Sequence, residues 1–169
     1  MVLYESSPVM INITISNNTA GKNGGGILII NDSNSNSSIS NVIISENSAG
    51  KNGGGIFLVN SNLITVINGT ITENSCIAQG GTGCGIFFEN NSTITILNSI
   101  VWNNTLLGIH NTDLLTSTFS NIQDGIEGEG NINADPLFTD PENSDYHLQS
   151  GSPCIDKGNP DQEYNDTDG

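Results

Sequence analysis

Few residues in this 169-residue chain carry chemistry of their own, and their spacing limits what they can do. Taking a proton from beside a uronate carboxylate, the key step of polysaccharide elimination, needs a base such as Arg or Lys. The chain has no arginine and three lysines, Lys22, Lys51 and Lys157. Lys22 and Lys51 hold the same place in two nearly identical stretches, NTAGKNGGGI (18–27) and NSAGKNGGGI (47–56), and so read as solvated turn residues. Lys157 lies in the C-terminal tail. Glycoside hydrolysis needs two carboxylates roughly 5 to 10 Å apart. Asn111-Thr112-Asp113 offers one acid, with neither a paired Asp-Asp nor an Arg-x-Lys to accompany it, so Asp113 reads as a turn residue. His110 and His147 lack companions at metal-ligand spacing, Cys76, Cys84 and Cys154 form no C-x-x-C pair, and zinc is not expected. No Ser/His/Asp set is legible from order alone.

Calcium is the one cofactor the side chains leave open; otherwise none is expected. Asp124, Glu127, Glu129, Asp135, Asp140, Glu142 and Asp145 fall within 22 residues, and hard cations take several carboxylate and carbonyl oxygens. No EF-hand pattern is present, since Asp166-x-Asp168-Gly169 lacks a first ligand and a distal Glu. Capped turns and surface solubility are the plainer account of these acids. Cys76 and Cys84 flank a loop longer than its counterparts: Ile71 to Ile86 is 15 residues, against 12 from Ile15 to Ile27 and from Ile44 to Ile56. A disulfide between them would staple the insertion and fit an oxidising compartment; small buried thiols are the alternative. Phe57 and Phe87 each follow a glycine-isoleucine step by one place. Facing outward they would make a platform for sugar rings; facing inward they would be core.

These residues sit on a repeat. Two asparagines six apart recur four times, as Asn12/Asn18, Asn41/Asn47, Asn68/Asn74 and Asn98/Asn104, with steps of 29, 27 and 30 residues. Ile15, Ile44, Ile71 and Val101 stand three places after each first asparagine. Gly26-Ile27, Gly55-Ile56, Gly85-Ile86 and Gly108-Ile109 form a second landmark. A fixed period of this length marks a solenoid. In one copy, Ile56–Val59, Leu63–Ile67 and Thr70–Thr72 read as three short strands, with a bend at Asn68-Gly69 and a return from Glu73 to Gly80. Stacked coils about 4.8 Å apart would pair in parallel and cover each other's apolar side chains. Stacked asparagines can pass amide hydrogen bonds along a column. One asparagine column is expected to ladder inward and the other to hold left-handed turns, and order alone does not say which. Ile122 follows Val101 in the apolar column. The chain is all-β: a parallel β-helix of about four to five coils over residues 8–124, an irregular C-terminal cap over 125–157, and an acidic polar tail over 158–169.

The formal charge of -15 comes from 18 acids against 3 bases. It excludes nucleic acid and anionic membrane as partners, since phosphate binding needs clustered Lys and Arg. Residues 1–112 hold five of the acids, so 18 minus 5 leaves thirteen in residues 113–169. No apolar stretch approaches the roughly 20 residues of a membrane span. The N-terminus lacks a signal-peptide pattern and already falls in register with the repeat from Pro8, as a fragment of a longer exported protein would.

With I-x-x-N…G-G-G-I established, the chain resembles the right-handed parallel β-helix repeats of the pectin-lyase-like superfamily. It looks similar to bacterial surface proteins related to the polymorphic outer-membrane proteins, whose repeats pair GGA-I with F-x-x-N. Here the second element reads Ile15-Ser-Asn-Asn18, Ile44-Ser-Glu-Asn47, Ile71-Thr-Glu-Asn74 and Val101-Trp-Asn-Asn104, with Ile or Val in place of Phe. NINADPLFTDPENSDYHLQSGSPCIDKG (131–158) resembles the segment that ends many anchored, secreted bacterial β-helix proteins. The resemblance implies a secreted or cell-surface location and a non-catalytic role in adhesion, glycan contact or spacing, with a polysaccharide or a neighbouring cell surface as partner. The alternative is a fragment of a polysaccharide lyase or glycoside hydrolase with its catalytic coils outside this chain. An ice-binding solenoid ranks last, because its threonines would have to share a column and these are not expected to.

Overall fold

The computed structural model describes residues 1–30, 36–61, 63–89 and 91–161. Five coils stack along one axis. The first three each contribute a strand to three sheets: β1 (Val2–Tyr4), β2 (Val9–Ser16) and β3 (Thr19–Ala20); β4 (Ile27–Ile30), β5 (Asn36–Ser45) and β6 (Ser48–Ala49); β7 (Ile56–Val59), β8 (Leu63–Thr72) and β9 (Ser75–Cys76). The fourth coil, β10 (Ile86–Glu89), β11 (Thr93–Leu97) and β12 (Ile100–Trp102), and the fifth, β13 (Ile109–His110), β14 (Leu115–Thr118) and β15 (Asn121–Ile122), add to two sheets only. Every pairing within the stack is parallel.

The register follows the repeat. Ile27, Ile56, Ile86 and Ile109 align, as do Ile15, Ile44, Ile71, Val101 and Ile122. Both columns enter one continuous core with Ile29, Leu58 and Phe88, and with Ile39, Val66 and Ile96. Burying apolar area at about 25 cal/mol per Å² is what makes stacking favourable, since one coil alone would leave these side chains wet.

Three local expectations change. The second and third strands of each coil are one bent strand in β5 and β8, because the corner asparagine turns the backbone without interrupting the bonds between coils. The third sheet comes instead from the return segment, at Ser48–Ala49 and Ser75–Cys76. Thr65, Thr95 and Thr116 do share a column, together with Ser38, contrary to the sequence reading. They form a single rank, and the next outward column carries Ile67 and Leu97.

The segment read as a cap divides in two. Ile126 packs against the core, and Ile132 continues the β15 column: its amide donates to Ser120 O (2.9 Å) and its carbonyl accepts from Ile122 N (3.1 Å). Asn131 ties this partial coil down by donating to Ser117 O and accepting from Ser120 N, both at 3.0 Å. The chain then runs back along the flank as an antiparallel hairpin, β16 (Phe138–Asp140) and β17 (Asp145–Leu148). Residues 158–161 of the expected tail are described; there Asn159 N donates to Asn98 Oδ1 at 2.8 Å. Residues 162–169, with Asp166-x-Asp168-Gly169, lie outside the described residues.

Candidate functional site

The two asparagine columns take different places. Asn12, Asn41, Asn68 and Asn98 have φ of 57°, 51°, 52° and 50°, the left-handed region that asparagine tolerates, and turn the corner on the outside. Asn18, Asn47, Asn74 and Asn104 form the inward ladder. The Nδ2 of each of the first three donates to Oδ1 of the next, at 3.0, 3.0 and 2.9 Å. The same oxygens accept the preceding asparagine's backbone N–H at 3.0 Å. The other Nδ2 proton of Asn47, Asn74 and Asn104 reaches Ile15 O, Ile44 O and Ile71 O. Asn47 and Asn74 are wholly buried, and every polar atom of these two amides is satisfied. The glycines beside the ladder have a steric reason: a Cβ on Gly55 would lie 2.6 Å from Gly85 O and 3.1 Å from the Asn74 amide.

Cys76 and Cys84 are joined by a disulfide with Cα atoms 5.4 Å apart, across the enlarged loop. Cys154 is free; Asn121 Nδ2 reaches its sulfur at 3.1 Å, and burial pushes the thiol pKa up. Phe57 and Phe87 project to the outer face, opposite Ile56 and Leu58, yet are only 3% and 6% exposed. Their rings stack on each other at 5.1 Å, and Phe87 stacks on His110 at 4.6 Å. Both faces of Phe87 are thus taken or aligned with neighbours in the column, which corrects the picture of an open sugar platform. The acids proposed for calcium are not drawn together. Asp135 accepts from Leu137 N, Asp140 from Asn143 Nδ2, and Asp145 pairs with His147. Among the described residues, no three His, Cys, Asp or Glu side chains gather as a metal would require.

A different site emerges on the flank. Ser16, Ser45, Thr72 and Trp102 share one outward column. Asn17, Glu46, Glu73 and Asn103 follow them, all with positive φ, so this row of side chains splays away from the coils. The β16–β17 hairpin lies against it. Tyr146 Oη donates to Glu46 Oε1 at 3.0 Å, Ser144 Oγ donates to the same oxygen, and Phe138 meets Tyr146 edge-on at 5.3 Å. The Ser144 and Tyr146 hydroxyls hold the Glu46 carboxyl below its ordinary pKa. Burial, with the Glu46 carboxylate, pushes the Tyr146 phenol up to about 12. On the same flank Ser45 and Thr72 are buried, and the Ser45 hydroxyl lies close enough to Tyr146 to oppose part of that rise.

Where hairpin and flank part, a cleft of about 340 Å³ opens, lined by Trp102, Glu73, Asn103, Asp135, Leu137 and Gln149 among others. Asn103 Nδ2 donates to Glu73 Oε1 at 2.7 Å, which fixes that carboxylate. An indole beside carboxylates and amides suits a ring that is apolar on its face and hydroxylated at its edge. Sequence reasoning passed over Trp102. Its signal was available: the place after the apolar column reads Ser, Ser, Thr, then the chain's one tryptophan. No helix among the described residues is long and apolar enough to cross a membrane.

Comparison with known families agrees with this architecture. The family described as right handed beta helix region matches residues 2–124. Searches of curated proteins and of solved structures returned no significant match.

Proposed function

Because this chain belongs to the right-handed β-helix family, we propose that it is a non-catalytic β-helix domain of a secreted or cell-surface protein, and that its flank cleft contacts glycans. The observation that carries this is Trp102: one coil replaces a small hydroxyl residue with an indole where the hairpin leaves a cleft. A pyranose stacking on the indole could hydrogen-bond Glu73, Asp135 and Gln149 with its edge hydroxyls. The two carboxylates, on a chain of formal charge -15, disfavour uronates and favour neutral or amino sugars. The Cys76–Cys84 disulfide supports an oxidising, exported setting.

The test is calorimetric titration with neutral, amino and uronic polysaccharides, followed in the same samples by assays for new reducing or unsaturated ends. Binding of a neutral or amino glycan that Trp102→Ala weakens about tenfold, with no new ends, supports the proposal. New ends that disappear in Glu73→Gln would replace it with the lyase or hydrolase reading. Absence of binding across the panel would leave the domain a spacer.

A further inference from the structure

We propose that the uncovered edge of β13 is a docking slot for an extended, positively charged peptide strand from a partner protein. The hydrogen bonds of the sheet β1-β4-β7-β10-β13 run in series. Ile27 N donates to Gly55 O at 2.8 Å, Ile56 N to Gly85 O at 2.9 Å, and Ile86 N to Gly108 O at 2.9 Å. Ile109 is the next residue in that column, and its N–H has no acceptor among the described residues. The neighbouring sheet does not share this vacancy, because Ile132 supplies the next rung beyond β15. Among the described residues no strand covers β13; after β15 the backbone turns away at Asp124-Gly125, both at positive φ (73° and 76°).

What remains there is a slot of about 300 Å³, lined by Ile109, His110, Asn111, Ile122, Asp124 and Ile126 among others. An added parallel strand would take the column's own pattern. It would place an aliphatic side chain inward over Ile109, as Ile86 does, and a flat or apolar one outward over His110, as Phe87 does. Backbone pairing supplies the affinity and alternate side chains the specificity in such strand addition. Asp124 lines the slot and is exposed at its rim, on a chain of formal charge -15, so a basic segment is the complementary one. A second copy of this chain fits poorly. Its β1 could reach β13 only by bringing its β2 over β14 and β15, where Glu129 and Ile132 already pair with Phe119, Ser120 and Ile122.

The probe is a synthetic peptide copying Gly55–Val59 with a lysine at each end, and the readout is amide hydrogen exchange at Ile109 by NMR. The expected result is fast exchange in the protein alone, slowed about tenfold or more by the peptide. Binding should weaken about fivefold in Asp124→Asn, which keeps a residue that tolerates positive φ, and weaken similarly in raised salt. An Ile109 amide that millimolar peptide leaves unchanged in the folded protein would overturn the proposal. So would protection that rises with protein concentration in the absence of peptide, since the occupant would then be a second copy.

Discussion

At the scale of single residues, the asparagines of one repeat are chemically identical and energetically unlike. Asn74→Ala removes an acceptor from Asn47 N and Nδ2 and a donor from Ile44 O, all in the core. Orphaned buried polar groups cost about 1–3 kcal/mol each before relaxation, so a loss of about 3 kcal/mol is expected in urea unfolding. Asn68→Ala removes one exposed amide contact and puts alanine at φ 52°, for a loss of about 1 kcal/mol, and Asn68→Gly should recover it. A larger effect at Asn68 than at Asn74 would reverse the assignment of ladder and corner. Phe57→Ala should cost about 3 kcal/mol, as a large-to-small change at a buried site, and leave glycan titrations unchanged. The existence of two asparagine columns was legible from spacing. Their roles were not, because both left-handed corners and buried ladders favour asparagine, and only the direction of the side chain separates them.

At the scale of elements, the flank hairpin hangs on one carboxylate. The folded pKa of Glu46 lies below its ordinary 4.5, so the clasp contributes fully above that pH. Its contribution is lost as pH falls through the lower folded value. Trp102 lies beside the hairpin and is the chain's one tryptophan, so its fluorescence should report the hairpin lifting in acid below pH 4.5. Glu46→Gln should abolish that acid transition while the coils stay folded. A transition unchanged in the variant would mean that other groups hold the hairpin. At the alkaline end, Tyr146 keeps its proton to about 12 while the unfolded phenol ionises near 10.0, so stability should fall as pH rises between those values. None of this was visible in sequence. Glu46 meets Ser144 and Tyr146 across 98 and 100 residues, and a contact made once leaves no periodic trace. The strands were legible for the opposite reason: each apolar residue is repeated by the coil above it. Trp102 fell between: the repeat shows it as an exception within its column, but only the fold sets that column beside the hairpin.

At the scale of the whole molecule, cohesion is passed between neighbouring coils and supplemented by one crosslink. The disulfide spans 8 residues of sequence, so it restrains the unfolded chain only modestly. Reducing it should lower stability by about 2 kcal/mol in denaturant titrations, with the slope of the transition little changed. A loss far beyond that would show that the enlarged loop organises the third sheet. The inward amides have a final consequence. Asn47 and Asn74 see the same set of partners, one coil below and one above, so the contact rules do not depend on position along the axis. A gene segment encoding one period could therefore be duplicated or lost in frame without any ladder asparagine meeting a new kind of neighbour. The near-identity of residues 18–27 and 47–56 is what such copying would leave behind.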